Sequence, residues 1–207
     1  MPRLRPWLTR ARGTSLASVR ERFIALDLET TGLDSRRDAI VSLAAIPFVG
    51  GVPSGGYVTL VDPARAIPPQ STAVHGITDA SVRGAPRLAH VLREVEATVR
   101  DAVLVGHSVD FDVAVLTHAS RQCGRSRLRN PALDTGRLAA ALHPQWRDFS
   151  LEHVAERLGV EVVARHTAEG DALTAGRIFV TLLPELEAFG LLTLSHLLWF
   201  QRRAREL

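Results

Sequence analysis

Early in the chain, apolar residues come in short unbroken runs; later they recur every three or four positions. The runs "RFIALDLE", "AIVSLAAIPFVGG" and "GYVTLVDP" are of strand length and are separated by Gly, Pro and Ser. They predict three strands, the last two joined as a hairpin. "PRLAHVLREVEATVR" puts Leu88, Val91, Leu92, Val95 and Val99 on one helical face. "AVLVGH" predicts a buried strand, and "FDVAVLTHASRQCG" a helix stopped by Gly124. "PALDTGRLAAALHP" predicts a short strand turning into a helix that ends near Pro144. "SLEHVAERLGV" predicts a helix with Ser150 as its N-cap and Gly159 as its stop. The region "TAEGDALTAGRIFVTLLPELEAFG" is helical and is divided or bent by Pro184. "LLTLSHLLWFQRRAREL" then closes the chain as an amphipathic helix.

Three linked strands followed by alternating helices and strands predict an α/β domain with a mixed sheet. Neither an internal repeat nor low-complexity sequence occurs. The expected division is a basic extension over residues 1–21, a main domain over 22–183 and a helical tail over 184–207. With 207 residues, 46% hydrophobic and 23% charged, the chain fits one sizeable folded domain, and disordered or fibrous classes are excluded. All 25 basic residues are Arg, for a net charge of +3. They cluster at Arg3, Arg5, Arg10, Arg12, Arg20 and Arg22, at Arg121, Arg125, Arg127 and Arg129, and at Arg202, Arg203 and Arg205. Such clusters form either a nucleic-acid footprint or solvated faces. Cys123 is the only cysteine, which points to a reducing compartment. Glu185, Glu187 and His196 interrupt the most apolar stretch, so no membrane span is expected and the location expected is cytoplasmic.

One strand carries an anomaly. In "IALDLETTGLD", Asp27 and Glu29 stand two residues apart at the end of an apolar run, so both project to the same face. Two carboxylates a few ångströms apart repel by about 4 kcal/mol at an effective dielectric of about 20. A shared proton, an Arg or a metal ion has to offset that. The ordinary alternative is a turn cap at Asp27 and a solvent-facing Glu29. Two more segments add acids. "VGHSVDFDVAVL" puts Asp112 in the first turn of a helix, and "RHTAEGDALTAGRIF" puts His166 before a helix and Asp171 inside it. Asp171 interrupts a run of Ala, Leu and Ile, which is a costly place for a charge without a partner.

The order "FIALDLETTGLD", "VHGITDASVRGAP", "VGHSVDFDVAVL", "HTAEGDALTAGRIF" resembles the DEDDh, or DnaQ-like, 3′–5′ exonucleases, the family of the proofreading subunit of bacterial replicative DNA polymerases. The resemblance spans roughly residues 22–182 and implies a ribonuclease H-like mixed β-sheet flanked by helices on both faces. It further implies that Asp27, Glu29, Asp112 and Asp171 bind two divalent cations, Mg²⁺ or Mn²⁺, with His166 as general base. An all-oxygen donor set suits such hard ions. Hydrolysis of phosphodiester bonds at a 3′ end would then release nucleoside 5′-monophosphates. Thr30 and Thr31 resemble the family's "ETTG" turn, which contacts the terminal nucleotide. "AVHGIT" resembles its substrate-side loop, making His75 either a nucleic-acid contact or a structural residue. Phe111 packs against a base or fills the core. Asp134 reads as a helix cap rather than a ligand. One departure stands out: Ser108 occupies a position where many members carry Asn, and Asp110 adds a carboxylate nearby. Ser108 is still able to cap the helix, its contact with the substrate backbone is expected to differ from that of Asn, and Asp110 either draws in a metal or repels phosphate.

The expected partner is nucleic acid with a free 3′ end, single-stranded DNA in the first instance, as in replication or repair. An exoribonuclease and a non-catalytic nucleic-acid-binding subunit are the alternatives. Leu194, Leu197, Leu198 and Phe200 give the last helix an apolar face. That face either packs on its own domain or docks a second copy or a polymerase-like partner.

Overall fold

A computed structural model describes residues 13–205. Arg3, Arg5, Arg10 and Arg12, and with them most of the expected extension, lie outside the described residues. Among the described residues, six strands form one mixed sheet. β1 (Arg22–Thr30) runs antiparallel to β2 (Ile40–Val49) and parallel to β5 (Leu104–Gly106), which in turn lies parallel to β6 (Ala132–Asp134). β3 (Val52–Pro53) and β4 (Tyr57–Leu60) both pair with β2, at different points along it.

The period-two pattern of β1 divides the core. Phe23 and Ala25 enter one apolar layer, while Ile24, Leu26 and Leu28 enter the other. The second layer is closed by α3 (Leu88–Val99) and α4 (Val109–Gln122). The first is closed by α1 (Leu16–Glu21), α5 (Thr135–Leu142), α6 (Leu151–Leu158), α7 (Ala168–Ala188) and α8 (Leu194–Phe200). A short helix α2 (Pro69–His75) lies between β4 and α3. Helices therefore cover both faces of a mixed sheet, the arrangement expected of a ribonuclease H-like domain.

Leu16 and Val19, from the stretch read as an extension, are buried in the first layer. So are Leu194, Leu197, Leu198 and Phe200 of the tail, so the last helix turns its apolar face inward. α7 runs unbroken through Pro184 from Ala168 to Ala188, and α8 is shorter than the pattern predicts. Gly124 and Gly159 take positive φ beyond the ends of α4 and α6, as stop signals do. Ser150 makes no side-chain cap; its own amide donates to Asp148 Oδ1 at 2.8 Å. Beyond α8, the Gln201 amide bonds the outer edge of β6, accepting from Asp134 N at 2.9 Å and donating to Ala132 O at 3.0 Å.

α7 approaches the sheet closely because one residue lacks a side chain. A Cβ on Gly176 would stand 2.4 Å from the Phe48 ring. Phe48 stacks on Phe23 at 4.8 Å, and Phe23 meets Phe179 of α7 edge-on at 5.1 Å. This aromatic cluster sets the depth at which the N-terminal turn of α7 crosses the carboxyl end of β1. Among the described residues, no helix is long and apolar enough to cross a membrane.

Candidate active site

The alternation that sends Phe23 and Ala25 toward α7 sends Asp27 and Glu29 the same way, one and two steps further along the strand. Asp27 lies opposite Ala44 and Glu29 opposite Ser42 on β2; the register shifts between Glu29 and Thr30, and the strand ends there. Across from them, Thr167 caps α7, its Oγ1 accepting from Gly170 N at 3.1 Å, and Asp171 follows in the first turn. Asp27, Glu29 and Asp171 each offer a carboxylate oxygen within 4.8 Å of the other two. Asp112, buried in the first turn of α4, adjoins this trio: its charge acts on Asp27, and the charge of Glu29 acts on it. The four acids named from sequence thus meet at one place, three within reach of a single ion and the fourth beside them.

The electrostatics show what the cluster lacks. Burial pushes the Asp27 carboxyl well above the usual carboxylate range, and the charges of Asp112, Asp171 and Glu29 push it further. Burial and the Asp171 charge raise Glu29 to about 7, with Arg165 pulling the other way. Asp112 is raised by burial, then by Glu29 and Asp134, against the opposing pull of the Leu28 backbone. Asp171 is raised by burial, and Arg165 opposes this. Asp171 Oδ1 is buried with no hydrogen-bond partner, while Oδ2 pairs with Arg165. Crowded carboxylates, an orphaned oxygen and no sulfur or nitrogen donor in the trio fit a hard divalent cation.

His166 is half-buried on the turn before α7, close enough for its charge to act on Asp171. Its φ of 62° is left-handed, as is the 35° of Ala164. Arg165, between them, escaped the sequence reading. Its guanidinium joins Asp171 of α7 to Glu152 of α6. The available signal was an Arg next to the His that precedes an acid-bearing helix, but no periodicity marks such a residue. Gly170 lets this turn lie against α7, since a Cβ there would stand 2.1 Å from the Val163 carbonyl oxygen.

Four of the five residues expected to meet substrate have other engagements, and Ser108 is exposed. Thr30 Oγ1 donates to the Gly32 carbonyl at 2.6 Å; Thr31 Oγ1 donates to Asp38 Oδ1 at 2.9 Å and accepts from Ala39 N at 3.0 Å. Both hydroxyls build the turn. His75 is buried, its Nδ1 accepting from Ile77 N at 3.0 Å, and its Nε2 faces the Thr30 backbone without completing a hydrogen bond. Burial lowers its pKa. Phe111 is half-buried against the layer of α3 and α4. Ser108 is exposed and makes no cap bond to α4, contrary to expectation; it sits at φ 58°, ψ 30°. Asn tolerates that left-handed conformation better than Ser, a physical reason for Asn at such a position. Asp110 pairs with Arg137 at 2.7 Å, and Asp134 caps α5, accepting from Arg137 N at 3.1 Å. His107 is tied between Thr135 Oγ1 at 2.9 Å and the Phe149 carbonyl at 2.8 Å, a structural role.

Comparison with known proteins identifies the family. The family model described as Exonuclease (RNase_T) matches residues 24–179. A DNA polymerase III subunit epsilon-like protein of Rhodobacter capsulatus is 42% identical over 181 residues, covering 85% of this chain and 26% of the relative. The DNA polymerase III subunit epsilon of Aquifex aeolicus is 35% identical over 164 residues, covering 79% of this chain and 81% of that protein. In structure, Escherichia coli exonuclease I in complex with a dT13 oligonucleotide aligns with a TM-score of 0.70 at 22% identity, over 82% of this chain and 43% of that one. The chain thus spans about a quarter of the first relative and less than half of the solved structure. A zinc-bound form of that exonuclease with single-stranded DNA aligns comparably. The matched region begins in β1 and ends in α7, taking in the whole acid cluster, and the chain belongs to the DnaQ-like 3′–5′ exonuclease family.

Proposed function

We propose that this protein is a 3′–5′ exonuclease that removes nucleotides one at a time from the 3′ end of single-stranded DNA, releasing nucleoside 5′-monophosphates. The observation that carries this reading is the convergence of Asp27, Glu29 and Asp171 within 4.8 Å, with a buried, unpartnered Asp171 Oδ1. Asp27, Glu29, Asp112 and Asp171 would hold two divalent ions, Mg²⁺ or Mn²⁺. When bound, such ions offset the mutual repulsion of the acids, acidify the attacking water and stabilise charge on the phosphate. His166 accepts the proton of that water on a ring nitrogen as the new P–O bond forms and the bond to the 3′-oxygen breaks. A neutral imidazole is suited to that transfer near pH 7. The ordered strand β1 holds Asp27 and Glu29 in place, and the Thr167 cap holds the first turn of α7.

Relatives named as polymerase III subunits point to a replication or repair setting with a polymerase-like partner, in a reducing cytoplasm that suits the single Cys123. The test is a gel of 5′-labelled DNA and RNA oligonucleotides digested by purified protein in Mg²⁺ or Mn²⁺. A 3′-shortened DNA ladder that disappears with Asp27→Ala supports the reading. RNA-only cleavage would replace it with an exoribonuclease, and binding without cleavage in either metal would replace it with a non-catalytic subunit.

A further inference from the structure

The loop between α4 and β6 presents Arg127 and Arg129 to solvent, and it walls a cleft of about 280 Å³. Arg137 of α5 and Arg202, just beyond α8, complete the cleft. Asp110 is the one acid lining it and is engaged by Arg137, so Arg127, Arg129 and Arg202 have no acidic partner among the described residues. The floor is apolar, with Leu128 and Leu198. The stretch 127–131 is at the same time a wall of a second, larger cleft that reaches Arg22 and Arg100.

The cleft and the acid site lie on opposite sides of one helical turn. Asp110 and Asp112 both lie in the first turn of α4, two residues and so about 200° apart around its axis. One therefore faces the acid cluster while the other lines the arginine cleft. From this geometry we infer that the Arg127–Arg129–Arg202 groove holds the phosphodiester backbone of the strand upstream of the 3′ terminus. The inference rests on the exonuclease reading for its substrate class, though not for the groove itself. Arginine forks bind phosphate through two parallel hydrogen bonds, and an apolar floor accepts ribose or base faces without sequence preference. A peptide strand cannot add to β6 here, because Gln201 already occupies the Asp134 amide and the Ala132 carbonyl.

The test is equilibrium binding of a fluorescent single-stranded oligonucleotide, on the order of 20 residues, measured in EDTA across a salt series. The comparison is wild type against a triple variant, Arg127→Gln, Arg129→Gln, Arg202→Gln. Each phosphate contact on a single strand contributes about 0.7 to the slope of log K against log salt. Loss of three contacts should therefore flatten the slope by about 2 and weaken binding at least tenfold at about 0.1 M salt. In parallel, hydrolysis of the p-nitrophenyl ester of thymidine 5′-monophosphate, which is too small to reach the groove, should proceed as in wild type, while KM for the long strand rises. An unchanged salt slope overturns the inference. So does equal binding of a poly-glutamate of matched charge, which would assign the groove to an acidic protein segment. A flattened slope in a protein that hydrolyses nothing would uphold the groove and overturn the exonuclease reading alone.

Discussion

Asp27 and Glu29 hang from a strand laddered to β2 along its length, whereas Arg165 and His166 lie in a turn flanked and occupied by left-handed residues at 164 and 166. The strand acids have no freedom to separate; their repulsion is fixed in the fold and has to be met from outside. The turn is the opposite case. Each left-handed non-glycine residue costs about 1–2 kcal/mol, and the turn is held by the Arg165 bridge to Glu152 and Asp171. The half proposed to bind cations is therefore rigid, and the half bearing the proposed base is strained and tethered by a guanidinium that occupies one oxygen of Asp171.

The sharpest break of this comparison is Asp27→Asn. Activity should fall by about 10³-fold or more, while the metal-free melting temperature holds or rises, because a carboxyl whose ionisation burial and like charges oppose is replaced by a neutral amide. Retained activity in a single-turnover assay would dismiss the acid cluster as the site. Next comes Gly176→Val, which would drive a side chain into the Phe48 ring. Overpacking of this kind costs about 1–3 kcal/mol, and a shifted α7 should also weaken Mn²⁺ binding, both readable by denaturant melts and calorimetry.

Removing the tether tests the other half. Arg165→Gln should lower the stability of the metal-free protein by about 1–3 kcal/mol, yet tighten Mn²⁺ binding by freeing Asp171 Oδ2. Weaker metal binding in that variant would make Arg165 a support rather than a competitor. The strand acids also predict a pH dependence. Glu29 holds its proton more tightly in the folded chain, with its pKa raised from 4.5 to about 7. Its stabilising effect is complete below its unfolded value and is lost as pH rises through about 7. Thermal melts in EDTA should therefore decline over that window, and saturating Mg²⁺ or Mn²⁺ should abolish the decline. The smallest effect is expected at Ser108→Gly, where relief of the left-handed conformation at an exposed site should stabilise the protein by about 0.5–1 kcal/mol in thermal melts.

The strand and helix pattern was readable because burial has a period: β1 alternates between two layers, and α3 buries Val91, Leu92, Val95 and Val99 as the spacing predicts. Charge in an apolar run drew notice to Asp27, Glu29 and Asp171, but it was the resemblance to the exonuclease family that grouped them with Asp112. Local hydrogen bonding was harder. Ser108 and Ser150 both precede helices, yet neither caps its helix through its side chain, since backbone conformation at 108 and the Asp148 carboxylate near 150 decide otherwise. Thr30 and Thr31 follow Glu29 directly, but the bonds that engage their hydroxyls reach Gly32, Asp38 and Ala39. Arg165 left only its position beside His166 as a signal, because its partners lie on two different helices, brought together by the tertiary fold.

Gln201 has a consequence for the solution behaviour of the whole molecule. A sheet margin with open amide and carbonyl groups invites stacking of one molecule on the next, and a single side-chain amide here acts as an end-stop. Proteolytic clipping after Phe200 would strip that guard along with Arg202 while leaving the acid cluster untouched, so a trimmed preparation should still hydrolyse a small ester and gradually lose its solubility.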